Sequence, residues 1–440
     1  MAQIKAFRMV HFNGTSAGQL DKVITPPYDI ISPAEQDAFY EAHPMNIIRL
    51  VLGKEFPDDG PGHNRYTRAA NTLHEWMKQG VLLRSDQPGL LVYQMEFDEP
   101  GSGRLKIDGI VALVKVDEYG KGKVLPHEKT YKGPKQDQLS LLKACRANLT
   151  PIHALFHDDE DVVTKAYESL IESSPDQEAT DPHGIVHRTW TLTDTDRVAA
   201  IVRAIADKSL FIADGHHRYE TAMAFRREAL AGDTSVPEDV SEYVMMFLTS
   251  MSHPGLVIRP AHRMLKNLAT VNAGEIVRRL APYFVVEELF CSEEQRTHTT
   301  RDVVDKIGEE AHLGGRFGML VRGDDSVRLF KLNNFHAVDH LIDPSMPKAL
   351  RNLDVTILRD VIIGYGVGVD NENIEGHIEY TPDPSEALEK VRRGDVQIAF
   401  IINPTRVDQV RRAAELGHKL PHKSTYFHPK IASGLVLNVG

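Results

Sequence analysis

The chain has 440 residues, of which 42% are hydrophobic and 26% charged, a composition typical of a globular protein with room for two or three domains. The formal net charge of −11 argues against a broad nucleic-acid surface. With only Cys145 and Cys291 a disulfide framework is excluded, and a reducing compartment fits. No apolar run is long enough to span a membrane, and residues 1–10 lack a signal core. We therefore expect a cytoplasmic protein that binds neither nucleic acid nor membranes.

The first 120 residues are predicted to form an α/β segment. Pro26-Pro27-Tyr28-Asp29 is expected to run extended, because proline lacks a backbone donor and restricts the residue before it. Ser32 as an N-cap, with Glu35 as its capping-box partner, predicts a helix that continues through Tyr40. Hydrophobic periodicity predicts the remaining elements of this segment: a helix over 66–79 and a hairpin of strands over 90–97 and 105–116.

A loop with the sequence Pro126-His127-Glu128-Lys129-Thr130 follows this hairpin. It is not a zinc-protease motif, because no second histidine follows at the i+4 spacing that two metal ligands on one helix face need. A lone glutamate in a loop is usually solvated, so the residues alone give Glu128 no function. The nearby Lys129, Lys132 and Lys135 would either screen phosphate charge or lie on the surface.

The strongest signal in the sequence is Asp214-Gly215-His216-His217-Arg218 (the DGHHR turn), which follows the apolar run Leu210–Ala213. The run predicts a buried strand, and helical periodicity begins at His217. A helix N-terminus favours anions, phosphate in particular, and glycine lets a ligand approach the backbone. A phosphate site with the Asp214 carboxylate beside it is therefore predicted, the alternative being an ordinary turn with structural histidines. The predicted phosphate-binding residues are Gly215, His216, His217 and Arg218.

Further elements follow from the same periodicities. Around the turn they are helices over 139–147 and 194–206 and strands over 151–156, 186–192, 243–249 and 257–259. Nearer the C-terminus they are helices over 273–281, 354–363 and 407–416, a hairpin over 317–332 and a strand over 394–402. Arg259-Pro260-Ala261-His262-Arg263 gathers three ionisable side chains, which predicts either a second anion contact or a salt-bridged surface.

The segment 419–430 is rich in hydrogen-bond donors and is interrupted by Pro421 and Pro429. Chain ends are commonly frayed, but proline limits the freedom of a segment, so this content predicts a preformed loop. Lys423 would supply positive charge, and Ser424 and Thr425 would offer hydroxyl groups to phosphate oxygens. The alternative is a segment that only packs against its neighbours.

Four motifs together resemble the bacterial domain-of-unknown-function family 1015: 26–32, 126–130, 214–222 and 423–430. The DGHHR turn is similar to the phosphate-binding turn of the ParB/sulfiredoxin-like superfamily, and more closely to that of its free-serine kinases. The resemblance implies an α/β fold with a ParB/sulfiredoxin-like phosphate-binding core. We expect an N-terminal α/β extension over 1–120, the core over 121–268 and a C-terminal α/β domain over 269–440 that closes the site.

The resemblance also implies phosphoryl transfer to or from a small hydroxylated metabolite, with free L-serine or phosphoserine as the substrate of a kinase or a phosphatase. A nucleotide or pyrophosphate-type compound would bind at the DGHHR turn, and Asp214 would bind Mg²⁺ or orient the hydroxyl. Glu128 matches the glutamate of a Pro-His-Glu motif in the serine kinases and would be the base, within roughly 10 Å of Asp214. The residues implied to contact the substrate are His127, Lys423, Ser424 and Thr425.

Two features depart from the resembling proteins. Asp137-Gln138 stands where the family usually has Asp-Arg, and no cysteine lies in the turn, where sulfiredoxin needs one. A non-catalytic sensor of a phosphorylated metabolite or nucleotide is the main alternative, since a sensor needs no base. A metalloenzyme that uses His216, His217 and Asp214 is disfavoured, because adjacent side chains on a helix diverge by about 100°. The sequence indicates no oligomeric state.

Overall fold

The computed structural model describes residues 2–128, 132–158, 160–232, 237–290, 296–370 and 374–440. Lys129, Thr130 and Cys291 lie outside these ranges, as does the side chain of Lys132. Cys145 is buried, and burial raises the pKa of its thiol to about 12, so this cysteine is a poor nucleophile at neutral pH. Within the described ranges, no helix combines the length and the apolar content that a membrane crossing requires.

The strands, in chain order, are β1 (Ile4–Lys5), β2 (Val10–Phe12), β3 (Leu82–Arg84), β4 (Leu90–Glu99), β5 (Gly103–Lys115), β6 (Val124–Leu125), β7 (Ala147–Asn148), β8 (Ile152–Phe156), β9 (Gln177–Thr180), β10 (Val186–Leu192), β11 (Leu210–Asp214), β12 (Tyr243–Ser250), β13 (Val257–Arg259), β14 (His262–Leu265), β15 (Phe284–Phe290), β16 (Arg316–Val321), β17 (Ser326–Leu332), β18 (Ile378–Thr381), β19 (Ile398–Ile402), β20 (Tyr426–His428) and β21 (Asn438–Val439).

The α-helices are α1 (Gly14–Ala17), α2 (Pro33–Ala42), α3 (Ile48–Val51), α4 (Arg65–Lys78), α5 (Lys132–Cys145), α6 (Val162–Ile171), α7 (Thr195–Ala206), α8 (His216–Gly232), α9 (Glu238–Ser241), α10 (Ala273–Leu280), α11 (Arg296–Gly308), α12 (Lys348–Arg351), α13 (Asp354–Thr356), α14 (Pro384–Arg393) and α15 (Val407–Glu415). A π-helical stretch covers Ile357–Val367, and 3₁₀ turns cover Leu20–Lys22, Tyr28–Ile30, Phe335–Leu341 and Ile374–His377.

The chain divides into two compact units. The first unit consists of Met1–Pro126, Thr130–Val257 and Phe427–Gly440, and the second consists of His127–Lys129 and Ile258–Tyr426. The three domains expected from the sequence, with boundaries after residues 120 and 268, remain a prediction, which this division into two units does not test.

The main sheet of the first unit is mixed, and its described strands run in the order β6-β11-β8-β12-β5-β4-β10-β9, with β1 beside β5. β11 pairs in parallel with β6, β12 pairs in parallel with β8, and β4 and β5 form the predicted antiparallel hairpin. Successive side chains of β5 enter two different apolar layers, Ile110 and Ala112 in one, Val111 and Leu113 in the other. The sheet is therefore covered on both faces, and β11 ends inside this covered sheet at the DGHHR turn.

The second unit has an antiparallel sheet, whose described strands run in the order β15-β17-β16-β19-β14-β18. One face packs with α10 and the π-helical stretch, through Leu280, Ile362 and Phe400 among others. The other face packs with α11 and α14, through Val303 and Leu388. Both units are thus layers of helices on a sheet, which confirms the predicted α/β class.

Several sequence predictions need correction. Pro27 is extended, but Tyr28–Ile30 forms a 3₁₀ turn, because the restriction that proline imposes applies only to the residue before it. The strand predicted over 394–402 is limited to Ile398–Ile402, since Gly394 has φ +85 and ends α14. The helix predicted over 354–363 is a short α13 followed by the π-helical stretch. The helix predicted over 139–147 begins earlier, at Lys132, and ends at Cys145.

A partly buried carboxyl group of the second unit, that of Asp354, makes the stability of the fold depend on pH. Asp354 accepts a hydrogen bond from the Gly315 N–H at 2.6 Å. Burial raises its pKa from 3.8 to about 6, although hydrogen bonds from Gly315 and Asn403 oppose that rise. Because the folded-state pKa lies above the unfolded value, this group stabilises the fold fully below about pH 4, and the contribution is lost as the pH rises through 6.

We therefore predict that Asp354→Asn raises the free energy of unfolding at pH 7.5 by on the order of 2 kcal/mol, because the amide cannot ionise. The gain should fall to less than half at pH 4.5, in urea unfolding curves measured at both pH values. The control is Asp395→Asn, an exposed aspartate of the same unit, which should show no such difference. An equal effect of Asp354→Asn at both pH values would contradict the assignment.

Candidate functional site

The DGHHR turn is a strand, a single glycine and a helix. β11 has buried side chains up to Ala213, Asp214 is its last residue, and α8 begins at His216, one residue earlier than predicted. Gly215 has φ +94, which L side chains rarely adopt, and a Cβ added there would lie 3.0 Å from the Arg218 guanidinium. The turn therefore requires glycine. The first N–H groups of α8 have no acceptor within the helix and favour an anion at its end.

Two cations hold the carboxylate of Asp214. Arg218 donates from Nη2 to Oδ2 at 2.7 Å, and the Lys430 ammonium donates to Oδ1. Arg218 also donates from Nη1 to the Pro151 carbonyl oxygen. The three charged side chains are only 11 to 15% exposed, so solvent screens these interactions weakly. One anion between two cations leaves the cluster with an excess positive charge beside a helix N-terminus.

His153 lies opposite Asp214, at a register shift in the pairing of β8 with β11. Its burial lowers the pKa to about 3; Asp214 opposes this shift, and Lys430 and Arg218 reinforce it. The imidazole is therefore neutral at pH 7. Its Nε2 has no hydrogen-bond partner among the described residues, and the ring packs against Phe247 and Phe427. The sequence analysis missed His153, although a single histidine within an apolar strand was a usable signal.

Tyr28 of the Pro26-Pro27-Tyr28-Asp29 motif lies by the same turn. Tyr28, Asn148 and Arg218 line a cavity of about 50 Å³, which has room for water but not for a metabolite. Burial is the main cause that raises the pKa of the Tyr28 phenol, so it stays protonated. Gln138, at the position where the resembling family usually has arginine, lines this cavity too. The first motif and the third motif therefore meet in one place.

One of the three lysines after Glu128 has an assigned contact in the first unit. Lys135 of α5 forms an ion pair with Glu220 of α8, with 2.9 Å between Nζ and Oε2. This contact fastens α5 to the helix that starts at the DGHHR turn. A role of Lys135 in screening phosphate charge stays a prediction.

Glu128, the predicted base, belongs to the second unit and is held by the loop after α15. It pairs with Leu420 in a parallel bridge, and Leu420 N–H donates to the His127 carbonyl at 2.7 Å. The carboxylate oxygen Oε1 accepts from the Lys423 N–H at 3.0 Å and lies 3.0 Å from Nδ1 of His422. The side chain is only 13% exposed, so Glu128 is a fixed carboxylate and not a solvated loop residue.

Arg263 is a buried cation of the second unit. It lies in β14 and not on a salt-bridged surface, which corrects that alternative for Arg259-Pro260-Ala261-His262-Arg263. Nη1 donates to the Ala261 carbonyl at 3.0 Å, and Nη2 has no partner among the described residues. Burial lowers the pKa of Arg263, while Tyr380 and Glu128 raise it. By the same interaction, the guanidinium favours the ionised form of Glu128.

The loop 421–425 is ordered by contacts within the second unit, as its content predicts. The Ser424 hydroxyl donates to the Pro421 carbonyl at 2.6 Å. The Thr425 hydroxyl and Nε2 of His127 form a hydrogen bond of 3.0 Å, and all three side chains are buried. Lys423 has φ +53, which turns the loop so that its N–H meets Glu128. A contact of this loop with substrate stays a prediction.

The predicted residues therefore fall into two groups. The first unit brings together Asp214, Gly215, His216, His217 and Arg218, and the second unit brings together His127, Glu128, Lys423, Ser424 and Thr425. That Glu128 and Asp214 act on one substrate stays a prediction. Sequence reasoning missed Lys430, His153 and His422, and it singled out Arg263 only as a possible second anion contact.

Asp214 was also the expected ligand of Mg²⁺. Both of its oxygens accept from side-chain cations, and no group of three or more metal-ligating side chains occurs among the described residues. Mg²⁺ binds to carboxylate, phosphate and water oxygens whose lone pairs are available. A carboxylate neutralised by Arg218 and Lys430 does not fit a magnesium ion held by the protein alone. Magnesium that is bound to the phosphates of a nucleotide stays a prediction.

The family described as "Protein of unknown function (DUF1015)" matches residues 4–356, which is most of the chain. The chain belongs to this family. The resemblance drawn from the four sequence motifs is thereby confirmed. No curated protein of established function matches the chain in sequence.

Among solved structures, the chain is similar to a free serine kinase in complex with AMP, with a TM-score of 0.35 and 12% identity, over 72% of this chain and 88% of that one. It is also similar to a conserved hypothetical protein from Pyrococcus furiosus, with a TM-score of 0.33 and 11% identity, over 72% of this chain and 91% of that one. A third similar structure is that of C-terminally truncated SbnI from Staphylococcus aureus, with a TM-score of 0.35 and 11% identity, over 75% of this chain and 86% of that one. These likenesses carry no argument about the activity of this chain.

The geometry of the turn predicts the effect of Gly215→Ala. The new Cβ would force a strained φ and displace Arg218, so we expect the free energy of unfolding to fall by about 1–2 kcal/mol. Chemical denaturation measures the change. The control is Gly308→Ala at the end of α11, where a Cβ meets nothing within 4 Å and alanine favours the helix. Equal stability of the Gly215→Ala variant and the wild type would show that the turn does not depend on glycine.

Proposed function

We propose that this protein transfers a phosphoryl group between a nucleotide or pyrophosphate-type compound and the hydroxyl group of a small metabolite. The DGHHR turn binds phosphate, and Glu128 is the base that takes the hydroxyl proton. The observation that carries the proposal is the excess positive charge of Asp214, Arg218 and Lys430 at a helix N-terminus. Free L-serine and phosphoserine are the first substrates to test, because of the sequence resemblance to free-serine kinases.

The turn supports the phosphate half of the proposal. Phosphate groups bind where backbone N–H groups, a helix dipole and fixed cations converge. Arg218 and Lys430 are held in place by Asp214, so they lose little side-chain entropy when a phosphate group arrives. Asp214 in this arrangement positions the two cations, and His153 stays neutral beside them and adds no charge.

Glu128 supports the proton-transfer half of the proposal. A base must be ionised before the reaction and fixed relative to its substrate. The Lys423 N–H and His422 hold one oxygen of the carboxylate, and Arg263 favours the ionised form. These contacts orient a carboxylate and keep its charge, as a base requires.

In the proposed reaction, the hydroxyl oxygen attacks the terminal phosphorus of the donor and Glu128 takes the hydroxyl proton. One oxygen–phosphorus bond forms, the bond from phosphorus to the leaving phosphate oxygen breaks, and that oxygen keeps the electron pair. The same groups serve the reverse direction, in which a phosphate oxygen of the acceptor attacks the phosphorus of phosphoserine and Glu128 returns the proton to the serine oxygen that leaves. A sensor of nucleotide or phosphorylated metabolite would use the turn alone and leave Glu128 without a function.

Phosphorus NMR tests the activity directly. ATP, ADP and pyrophosphate are each incubated with the full-length protein and L-serine, and phosphoserine is incubated with AMP and ADP. We expect phosphoserine to appear, or to disappear, with at least one of these partners. Tight nucleotide binding without any turnover in this set would contradict phosphoryl transfer and favour the sensor.

Glu128→Gln is expected to lower turnover by about 10²–10⁴-fold, the usual range for loss of a general base. Nucleotide affinity should change less than about twofold, because glutamine can still accept from the Lys423 N–H. The control is Glu389→Gln, a carboxylate of α14 that pairs with Arg393, which should keep full activity. Full turnover of the Glu128→Gln variant would remove Glu128 from the mechanism.

Arg218→Ala is expected to weaken nucleotide binding by about 1.5–3 kcal/mol, the range for charge-assisted hydrogen bonds. Titration calorimetry with ADP at fixed salt measures the change. The matched control is Arg227→Ala on the same helix, whose guanidinium pairs with the exposed Glu118. Equal ADP affinity in the Arg218→Ala and Arg227→Ala variants would place the phosphate site elsewhere.

A further inference from the structure

The second unit contains a polar cavity of about 230 Å³ that the proposed phosphoryl transfer does not use. It lies where the strand β19 passes through Asn403 into α15, beside the residues that precede β16 and those that begin α13. The ionisable residues in its lining are His312, Asp354, Arg406, Asp408 and Arg412. Pockets for drug-sized ligands hold about 300–1,000 Å³, so this cavity suits a smaller metabolite and excludes a nucleotide.

Asp354 brings into the cavity a carboxylate that has no close ion-pair partner among the described residues, although the charge of Arg406 attracts it from farther away. Its polar contacts are the Gly315 N–H and the Asn403 side chain, and it forms no ion pair among the described residues. Burial raises its pKa to about 6, so the group is mostly ionised at pH 7 at a cost in free energy. Gly314 keeps one side of the carboxylate open, since an added Cβ would lie 2.8 Å from Oδ1.

Arg412 brings the opposite charge into the cavity, also without a counterion. Its guanidinium forms no hydrogen bond or ion pair with the described residues. Arg406, the other arginine of the lining, already forms an ion pair with Asp408, with 3.1 Å between Nε and Oδ1. The first residues of α15 lie in the same wall, and the start of a helix favours negative charge.

We propose that this cavity binds a small zwitterionic amino acid, with its ammonium group on Asp354 and its carboxylate on Arg412. Each end of the ligand would supply the counterion that one protein group lacks. A simple anion would leave Asp354 unmatched and a simple amine would leave Arg412 unmatched, so a ligand that carries both charges gains the most. The site is separate from the residues assigned to phosphoryl transfer.

The cavity is joined by one hydrogen bond to the loop that holds Glu128. Thr405 lines the cavity, and its hydroxyl donates to the Ser424 carbonyl at 2.7 Å. Ser424 follows Lys423, whose N–H holds the Glu128 carboxylate. A bound amino acid would therefore lie against a residue that contacts this loop.

Titration calorimetry on the full-length protein tests the proposal, with each standard L-amino acid as the probe. We expect at least one with a small side chain to bind. The matched probes for L-serine are 2-aminoethanol, which lacks the carboxylate, and 3-hydroxypropanoate, which lacks the ammonium group. Each should bind at least tenfold more weakly than the amino acid; equal binding of either would overturn the zwitterionic assignment.

Variants locate the binding. Asp354→Asn and Arg412→Gln should each weaken the affinity at least tenfold, and thermal unfolding shows that each variant folds. Arg411→Gln, next to Arg412 but outside the cavity lining, should bind as the wild type does. Glu389→Gln, a carboxylate of α14 outside the cavity lining, should also keep the affinity. Binding that is kept in both Asp354→Asn and Arg412→Gln, or no binding by any amino acid, would overturn the proposal.

Discussion

The ion pairs of Asp214 with Arg218 and Lys430 connect parts of the first unit that lie far apart in the sequence. Asp214 ends β11, Arg218 belongs to the first turn of α8, and Lys430 comes from the last segment of the chain. That segment is part of the apolar core, through Ile431 and Leu435, and it adds β21 beside β7. Removal of the carboxylate would leave two buried cations facing each other, which costs several kcal/mol. The charge of the turn and its contact with the final segment therefore depend on one side chain.

The two carboxylates singled out in the sequence differ in their surroundings, and this difference separates their roles. Asp214 is held by two full positive charges, which stabilise its anion and oppose the uptake of a proton. Glu128 accepts a hydrogen bond from the Lys423 N–H and lies 3.0 Å from Nδ1 of His422, and these contacts fix its orientation. A carboxylate between two cations positions those cations, whereas an oriented carboxylate can accept a proton. The base role that we propose for Glu128 is a proposal that fits these surroundings.

The parts of the fold that were predictable are those that depend on neighbours in sequence. The capping box of Ser32 and Glu35, the β4–β5 hairpin and the glycine of the DGHHR turn each follow from a few adjacent residues, and each is present. Lys430 and His153 could not be placed, because their contacts with Asp214 join residues on three separate elements. The strand predicted over 394–402 is too long because an apolar run was read without the glycine that ends a helix before it. Elements set by adjacent residues could be predicted from the sequence, whereas contacts between residues far apart in the sequence could not.

The second unit keeps two charges in places where apolar side chains would cost less. Arg263 lies in a buried strand with Nη2 unpartnered, and Asp354 carries a carboxylate without a close ion-pair partner, both among the described residues. Burial of an unpaired charge costs several kcal/mol, and well-packed apolar residues of similar size usually restore that stability. A unit that served only to pack would not need either group. Arg263 acts on Glu128, and Asp354 lines a cavity that also holds an unmatched arginine. The two costly charges therefore lie where we propose that the second unit holds the base and binds a ligand.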